Sequence, residues 1–216
     1  MNNSVLYDST KECIVCNNKF KSKKVKTSKL RVIKKDEDFC PYYSTENPLF
    51  YDFFVCPKCG TVFTDNFKEI RSTEKTRLRE IFSKMTGAEN LLGERTIEDS
   101  LRLGKLALVA SNICLLPPSV KASICMRIAW FNRYKKNTEE MKYLQIALQQ
   151  YEEAYSTGDN NLTESNLIYM IGELNWRLGN IEQTRKWFSK LLPLGNSDPI
   201  VKKGKERWLD IKENIS

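Results

Sequence analysis

The chain has 216 residues, room for one ordinary domain or a small one joined to a medium one, and 41% are hydrophobic, enough for a packed core. Its formal net charge of +8 points toward acidic partners. The absence of histidine excludes Ser-His-Asp and Cys-His hydrolases, HExxH metalloproteases and every finger that pairs two cysteines with two histidines, so a metal site here has to be built from cysteine.

The N-terminus "MNNSVLYDST" lacks the zones of a signal peptide, and no run of eighteen apolar residues exists. The expected location is the cytoplasm, with no membrane partner. In that reducing compartment seven cysteines are expected as metal ligands or buried thiols rather than disulfides.

Residues 1–66 read as a module of short β-strands rich in cysteine, lysine and aromatics. Cys13-Ile-Val-Cys16 comes first. Two residues between cysteines make a tight turn that lets both sulfurs meet one ion. This turn lacks proline and glycine, but Asn17 tolerates the left-handed backbone that closes such a knuckle. From Lys19 to Lys35 run nine basic residues and no acidic one. Lys21, Lys23, Lys24, Lys26, Lys29 and Arg31 are the candidate nucleic-acid contacts, with nearby aromatics to stack on bases. Against that, "DED" follows at once, and residues 1–70 hold twelve Lys and Arg against nine Asp and Glu. Cys40 reads most simply as a thiol packed beside Phe39 and Tyr42. A spare ligand and a reactive thiol are its alternatives.

Cys56-Pro-Lys-Cys59-Gly60 is the second knuckle, thirty-nine residues after the first. Proline presets this turn and glycine supplies the positive φ. Cys13, Cys16, Cys56 and Cys59 are therefore expected to hold one metal. A module of this size buries too little to fold comfortably alone, which favours a structural Zn2+. The same four thiolates suit a rubredoxin-type iron centre, the weaker expectation.

From residue 67 to 216 the pattern is helical. The stripes are Phe67, Ile70, Leu78, Ile81, Phe82, Met85; then Leu101, Gly104, Lys105, Leu108, Asn112; and Val120, Ile124, Ile128, Phe131. Met141, Leu144, Leu148, Tyr151, Tyr155 follow, and Leu167, Ile171, Leu174, Leu178. The last are Ile181, Thr184, Trp187, Phe188, Leu191 and Val201, Gly204, Trp208, Ile211, Ile215. Breaks fall at "LLPPS", "STGDNN" and "LPLGNSDP". Cys114 and Cys125 lie within apolar stripes and read as core. A shift of about forty-three residues places Ile128 on Ile171, Ala129 on Gly172, Asn132 on Asn175 and Asn137 on Asn180.

"IYMIGELNWRLGNIEQTRKWFSKLL" resembles a tetratricopeptide repeat (TPR), with Gly172 and Gly179 at its glycine positions and Phe188 at the aromatic of its second helix; Thr184 stands where alanine is usual. Its first-helix faces would carry partner contacts from Trp130, Arg133, Tyr134, Tyr169, Glu173, Trp176 and Arg177, residue types common at interfaces. The alternative is that the tryptophans are buried between hairpins. "KLRVIKKDEDFCPYYSTENPLFYDFFVCPKCG" resembles a bacterial family, the domain of unknown function 2225, over nearly the whole chain. That resemblance marks Asp38, Phe39, Cys40, Tyr42, Asn47, Pro48, Tyr51 and Asp52 as motif positions and implies a ribbon followed by TPR-like helices.

The expected fold is α+β and mostly α: a four-cysteine zinc-ribbon-like module over 1–66 and a TPR-like antiparallel helical array over 67–216. The expected function is a non-catalytic adaptor for a protein or peptide. A nucleic-acid-binding ribbon and an iron electron-transfer protein are the alternatives.

Overall fold

The structure, a computed structural model, describes residues 4–159 and 161–215. Residues 1–3 of the expected module, Asn160 of the "STGDNN" break, Ser216 at the end of the helical span and the side chain of Ile215 lie outside the described residues.

Among the described residues six short strands precede seven α-helices. The fold is thus α+β and mostly α, a small cysteine module followed by helices. By packing the chain divides into two units. One holds Met1–Lys34, Pro41–Leu116 and Trp130–Asn137; the other holds Lys35–Cys40, Pro117–Ala129 and Thr138–Ser216. The change of texture expected after residue 66 falls between the last strand and the first helix. The packing unit continues past it, because the second helix lies on that strand.

In the first unit β1 (Leu6–Glu12) and β2 (Lys19–Val25) form an antiparallel hairpin with Leu6 opposite Val25 and Glu12 opposite Lys19. Phe20, Ser22 and Val25 are buried while Lys19 and Lys21 stay exposed, the alternation of a half-buried strand. β3 (Val32–Lys35) pairs with β4 (Pro41–Tyr43), and β5 (Phe54–Val55) pairs antiparallel with β6 (Val62–Phe63). The rings of Phe20 and Phe54 both pack on Phe63.

α1 (Ser72–Phe82) buries Leu78 and Phe82. It starts after Phe67 and Ile70, so these two expected stripe members lie in the approach to the helix. α2 (Ile97–Ile113) begins at a capping box in which Thr96 and Asp99 exchange hydrogen bonds. Its buried face is Ser100, Leu103, Gly104, Ala107, Ala110 and Ser111, while Lys105 and Asn112 are exposed. The stripe expected from Leu101 and Leu108 is therefore rotated. Small side chains let α2 lie close on β6 and on the 3₁₀ turn Pro48–Tyr51, and the leucines flank that contact half-buried.

The first stretch of α3 (Pro118–Tyr134) belongs to the second unit and its last turn to the first. α4 (Glu139–Thr157) ends at Gly158, whose φ of 69° makes it a left-handed cap. α5 (Glu164–Arg177) is buried from Leu167 to Asn175 because α4, α6 (Ile181–Ser189) and α7 (Pro199–Ile215) all pack against it. A Cβ at Gly172 would press on the Phe188 ring at 3.0 Å, and one at Gly204 would collide with Leu191.

The forty-three-residue repeat is visible in the helix ends. Asn137 N–H donates to Asn132 O at 2.9 Å and Asn180 N–H to Asn175 O at 2.9 Å. Lys136 N–H donates to Arg133 O and Gly179 N–H to Trp176 O in the same register. Lys136 (φ 54°) and Gly179 (φ 79°) are both left-handed. Only glycine takes that conformation without a cost of about 1 kcal/mol or more. Lys136→Gly is expected to raise unfolding stability by about 1 kcal/mol and Gly179→Ala to lower it by about as much, both read from chemical denaturation.

Candidate functional site

The two knuckles are built alike. The first is the turn between β1 and β2: Cys13 N–H donates to Asn18 O at 3.0 Å, and Asn17, at φ 57°, donates its N–H to Cys13 O at 3.0 Å. The second is the turn between β5 and β6: Cys56 N–H donates to Thr61 O at 3.0 Å, and Gly60, at φ 71°, donates to Cys56 O at 2.9 Å. Asparagine thus fills the left-handed position that glycine fills in the second knuckle. Gly60 has a further constraint, since a Cβ there would lie 2.7 Å from Phe82 O.

The sulfurs meet across the knuckles. Cys13 Sγ is 3.5 Å from Cys59 Sγ, Cys16 Sγ is 3.6 Å from Cys56 Sγ, and all four lie within 4.8 Å of one another. A tetrahedral ion with metal–sulfur bonds of about 2.3 Å would set them about 3.8 Å apart. Residues and geometry therefore fit a single metal ion, and among the described residues this is the cluster that offers such a ligand set. Val15 N–H points at Cys13 Sγ at 3.4 Å, and the Thr61 hydroxyl lies 3.2 Å from Cys59 Sγ. The contact between Cys13 and Cys59 lowers the Cys59 thiol and raises that of Cys13. Burial pushes Cys56 up to about 11. From α1, the Arg79 guanidinium donates to Val15 O at 3.4 Å.

The motif residues fall in both units. In the second, Asp38 and Cys40 are fully buried and Cys40 N–H points at Asp38 Oδ1 at 3.4 Å. Cys40 is thus a packed thiol. Asp38 Oδ1 lies 3.4 Å from Arg177, which bonds the buried Glu173 at 2.9 Å; Arg207 reaches the other Glu173 oxygen at 2.8 Å. Burial raises the Glu173 carboxyl even against those two guanidiniums. Glu37 takes Lys203 at 2.5 Å and the Tyr169 hydroxyl at 3.2 Å. Phe39 is left-handed at φ 66°, a strained state for a bulky residue, with its ring 5.2 Å from that of Tyr169.

In the first unit Asn47 caps the Pro48–Tyr51 turn by accepting from Leu49 N–H at 3.0 Å, and Asp52 closes it. Tyr51 is buried beside Glu46, its hydroxyl pushed up to about 12 chiefly by burial. Tyr42 packs edge-on against Tyr134 at 5.4 Å.

Of the residues expected to meet a partner, Trp130, Tyr169 and Glu173 are buried. Tyr134 donates to Pro41 O at 2.6 Å, Arg177 serves Asp38 and Glu173, and Arg133 and Trp176 are half-buried. The face expected to carry a groove on α5 is therefore used by the Asp36–Cys40 turn of the same chain. Among the lysines, Lys23 pairs with Asp8 at 2.8 Å and Lys21 donates to Thr10 at 2.8 Å. Lys24 and Lys26 are half-buried, and Lys29 and Arg31 exposed.

Sequence reasoning missed Arg95, Lys203 and Arg207. Arg95 is 6% exposed and gathers the carbonyls of Leu91 (2.8 Å), Phe50 (3.1 Å) and Phe53 (2.6 Å). An arginine just before a helix cap carries no local sign of burial, and Lys203 and Arg207 look like ordinary solvent-facing charges of α7.

The fold and the sulfur cluster define a cysteine-knuckle protein with a helical C-terminal half. The chain belongs to the family described as an uncharacterized protein conserved in bacteria (DUF2225), which matches residues 6–211. Among curated proteins and among solved structures nothing matches it.

Cys56→Ser is expected to abolish stoichiometric metal retention and lower the melting temperature, whereas Cys125→Ser leaves metal content unchanged. Metal analysis with thermal unfolding reads both. Arg177→Ala takes the guanidinium from buried Asp38 and leaves buried Glu173 with Arg207 alone, and should cost about 3 kcal/mol in denaturant unfolding.

Proposed function

We propose that this protein is a non-catalytic cytoplasmic adaptor whose N-terminal strands are stapled by Zn2+ at Cys13, Cys16, Cys56 and Cys59 and whose helical half is TPR-like. The observation that carries it is the meeting of four sulfurs on two knuckles of matching hydrogen-bond geometry. Zinc there supplies a tetrahedral cross-link and no redox chemistry. The protein's own part is to aim backbone N–H groups at the sulfurs and to hold the knuckles at the tips of two hairpins whose ribbons have little core. Among the described residues no helix is long and apolar enough to cross a membrane.

Three features support the TPR-like reading. The helix ends repeat at forty-three residues, Gly172 admits Phe188 of α6, and α7 packs on both α5 and α6. The adaptor reading rests on that stacking of α5, α6 and α7, the arrangement by which repeat helices present a surface to a partner. Its partner surface must lie apart from the α5 face that Glu37, Asp38 and Phe39 occupy.

A second reading, nucleic-acid binding by the cysteine-rich unit, draws on charge. That unit holds twenty-two Lys and Arg against twelve Asp and Glu, net +10, while the other holds thirteen against fifteen, net −2. Lys23 and Lys11 are paired with Asp8 and Asp65, acids already counted in that net, so the excess rests on the other Lys and Arg of the unit.

Protein purified without added metal is expected to carry about one zinc per chain and no visible absorption bands. One iron with thiolate-to-metal bands overturns the staple in favour of electron transfer. In-cell cross-linking should join the chain to a discrete protein; if every adduct is instead nucleic acid, and binding of a single-stranded oligonucleotide falls steeply with salt, the second reading replaces the first.

A further inference from the structure

We propose that β3 is an edge strand that receives an extended, acidic, apolar segment of a partner protein as an added strand. The inference rests on the adaptor reading and says where its partner binds and what that partner is like.

All four residues of β3 are exposed, Val32 at 48% and Ile33 at 67%. A strand normally keeps one face for a core. This one presents two consecutive β-branched side chains to solvent, and alternation sends them to opposite faces. Its neighbour, by contrast, is fixed. Pro41 of β4 is buried and its carbonyl accepts the Tyr134 hydroxyl at 2.6 Å. Tyr42 packs edge-on against Tyr134, and Lys34 Nζ sits 4.2 Å over the Tyr42 ring. The base of the hairpin is held too, by Ser44 N–H to Arg31 O at 3.1 Å and the Thr45 hydroxyl to Lys29 O at 3.2 Å. β3 is thus the outer strand of an anchored ribbon.

The register fixes which backbone groups face outward. Ser44 N–H reaches Arg31 O at one end of the ribbon and Asp36 N–H reaches Cys40 O at the other, so β3 carries one residue more than β4 between these bonds, a bulge; beside Arg31 the antiparallel alternation turns the N–H and C=O of Val32 away from β4. An added strand reads such an edge through main-chain hydrogen bonds and through alternate side chains.

Charge selects the occupant. Lys29, Arg31 and Lys34 are exposed around Val32 and Ile33, with no acidic residue between Lys19 and Lys35. A second copy pairing antiparallel with Val32 opposite Val32 would gather Arg31 and Lys34 of both copies onto one seam, and like charges so gathered oppose association. An acidic strand finds those charges complementary. A nucleic acid would also meet the charges, but single strands are held by stacking on aromatic faces, and the exposed side chains at the centre of this edge are aliphatic.

The test uses the full zinc-loaded chain and a fluorescent Glu-Val-Asp-Ile-Glu-Val-Asp peptide read by anisotropy. Its Lys-substituted counterpart, single-stranded oligothymidylate and the sedimentation of the chain alone serve as controls. The acidic peptide is expected to bind, and the lysine peptide not. Affinity should fall at least tenfold in Val32→Pro and in Arg31→Glu/Lys34→Glu. The charge-reversed variant keeps the β3 backbone sequence free of proline, so it stands in should Val32→Pro misfold. Bound peptide should also slow hydrogen exchange at Val32. No acidic-peptide binding, binding indifferent to both variants, oligothymidylate bound in its place, or a dimer dispersed by Ile33→Asp would each overturn the strand-addition site. The adaptor reading would then stand or fall on its own cross-linking result.

Discussion

Cys13 and Cys59, Cys16 and Cys56 face one another at the ends of two hairpins that could not otherwise hold their positions. β5 and β6 are two residues each, and Phe20 of the first hairpin meets Phe63 of the second, which also packs on Phe54. Hairpins of that length are marginal in water. Structural zinc in finger peptides contributes on the order of 10–16 kcal/mol of apparent binding free energy, far more than three phenyl rings supply. What packs onto the hairpins, α1 through Arg79 and Phe82 and α2 on β6, would take its template from the cross-link that zinc is proposed to supply.

The second unit depends on a different device. A turn of six residues, Lys35–Cys40, brings two carboxylates to α5 and α7, where Arg177, Lys203 and Tyr169 answer them, while Arg207 pairs with Glu173 beside them. Buried ion pairs add little net stability but penalise any arrangement that breaks them. Phe39 accepts a left-handed backbone within this turn, which persists only where neighbours over-determine it. The network therefore serves specificity of docking more than strength.

Much of this was legible in the sequence. CxxC spacing and the tolerance of asparagine for positive φ announced both knuckles, since the chemistry there is local. The repeat of Asn132 and Asn175, and the small residue at Gly172, announced the helix ends and the close approach of Phe188. The α2 face was not legible, because glycine and alanines beat leucines only when a strand lies close enough to need them. Nor was the use of Tyr169, Glu173 and Arg177. Residues typical of interfaces are equally typical of internal docking, and Glu37 reaches Tyr169 from 132 residues away in sequence, a separation that no periodicity records.

The interleaving of the two units bears on how the chain is made. Tyr134 closes on Pro41 across 93 residues, and Tyr169 closes on Glu37 across 132. On a ribosome all four sulfurs are available once Cys59 emerges, yet their unit lacks its last helical turn until residue 137 has left the exit tunnel. The acidic turn must wait longer still, until α5 and α7 exist to receive it. The sulfur site of a nascent chain is therefore complete well before its helices are finished, and a nick at residue 66 would yield two fragments that each lack a piece of themselves.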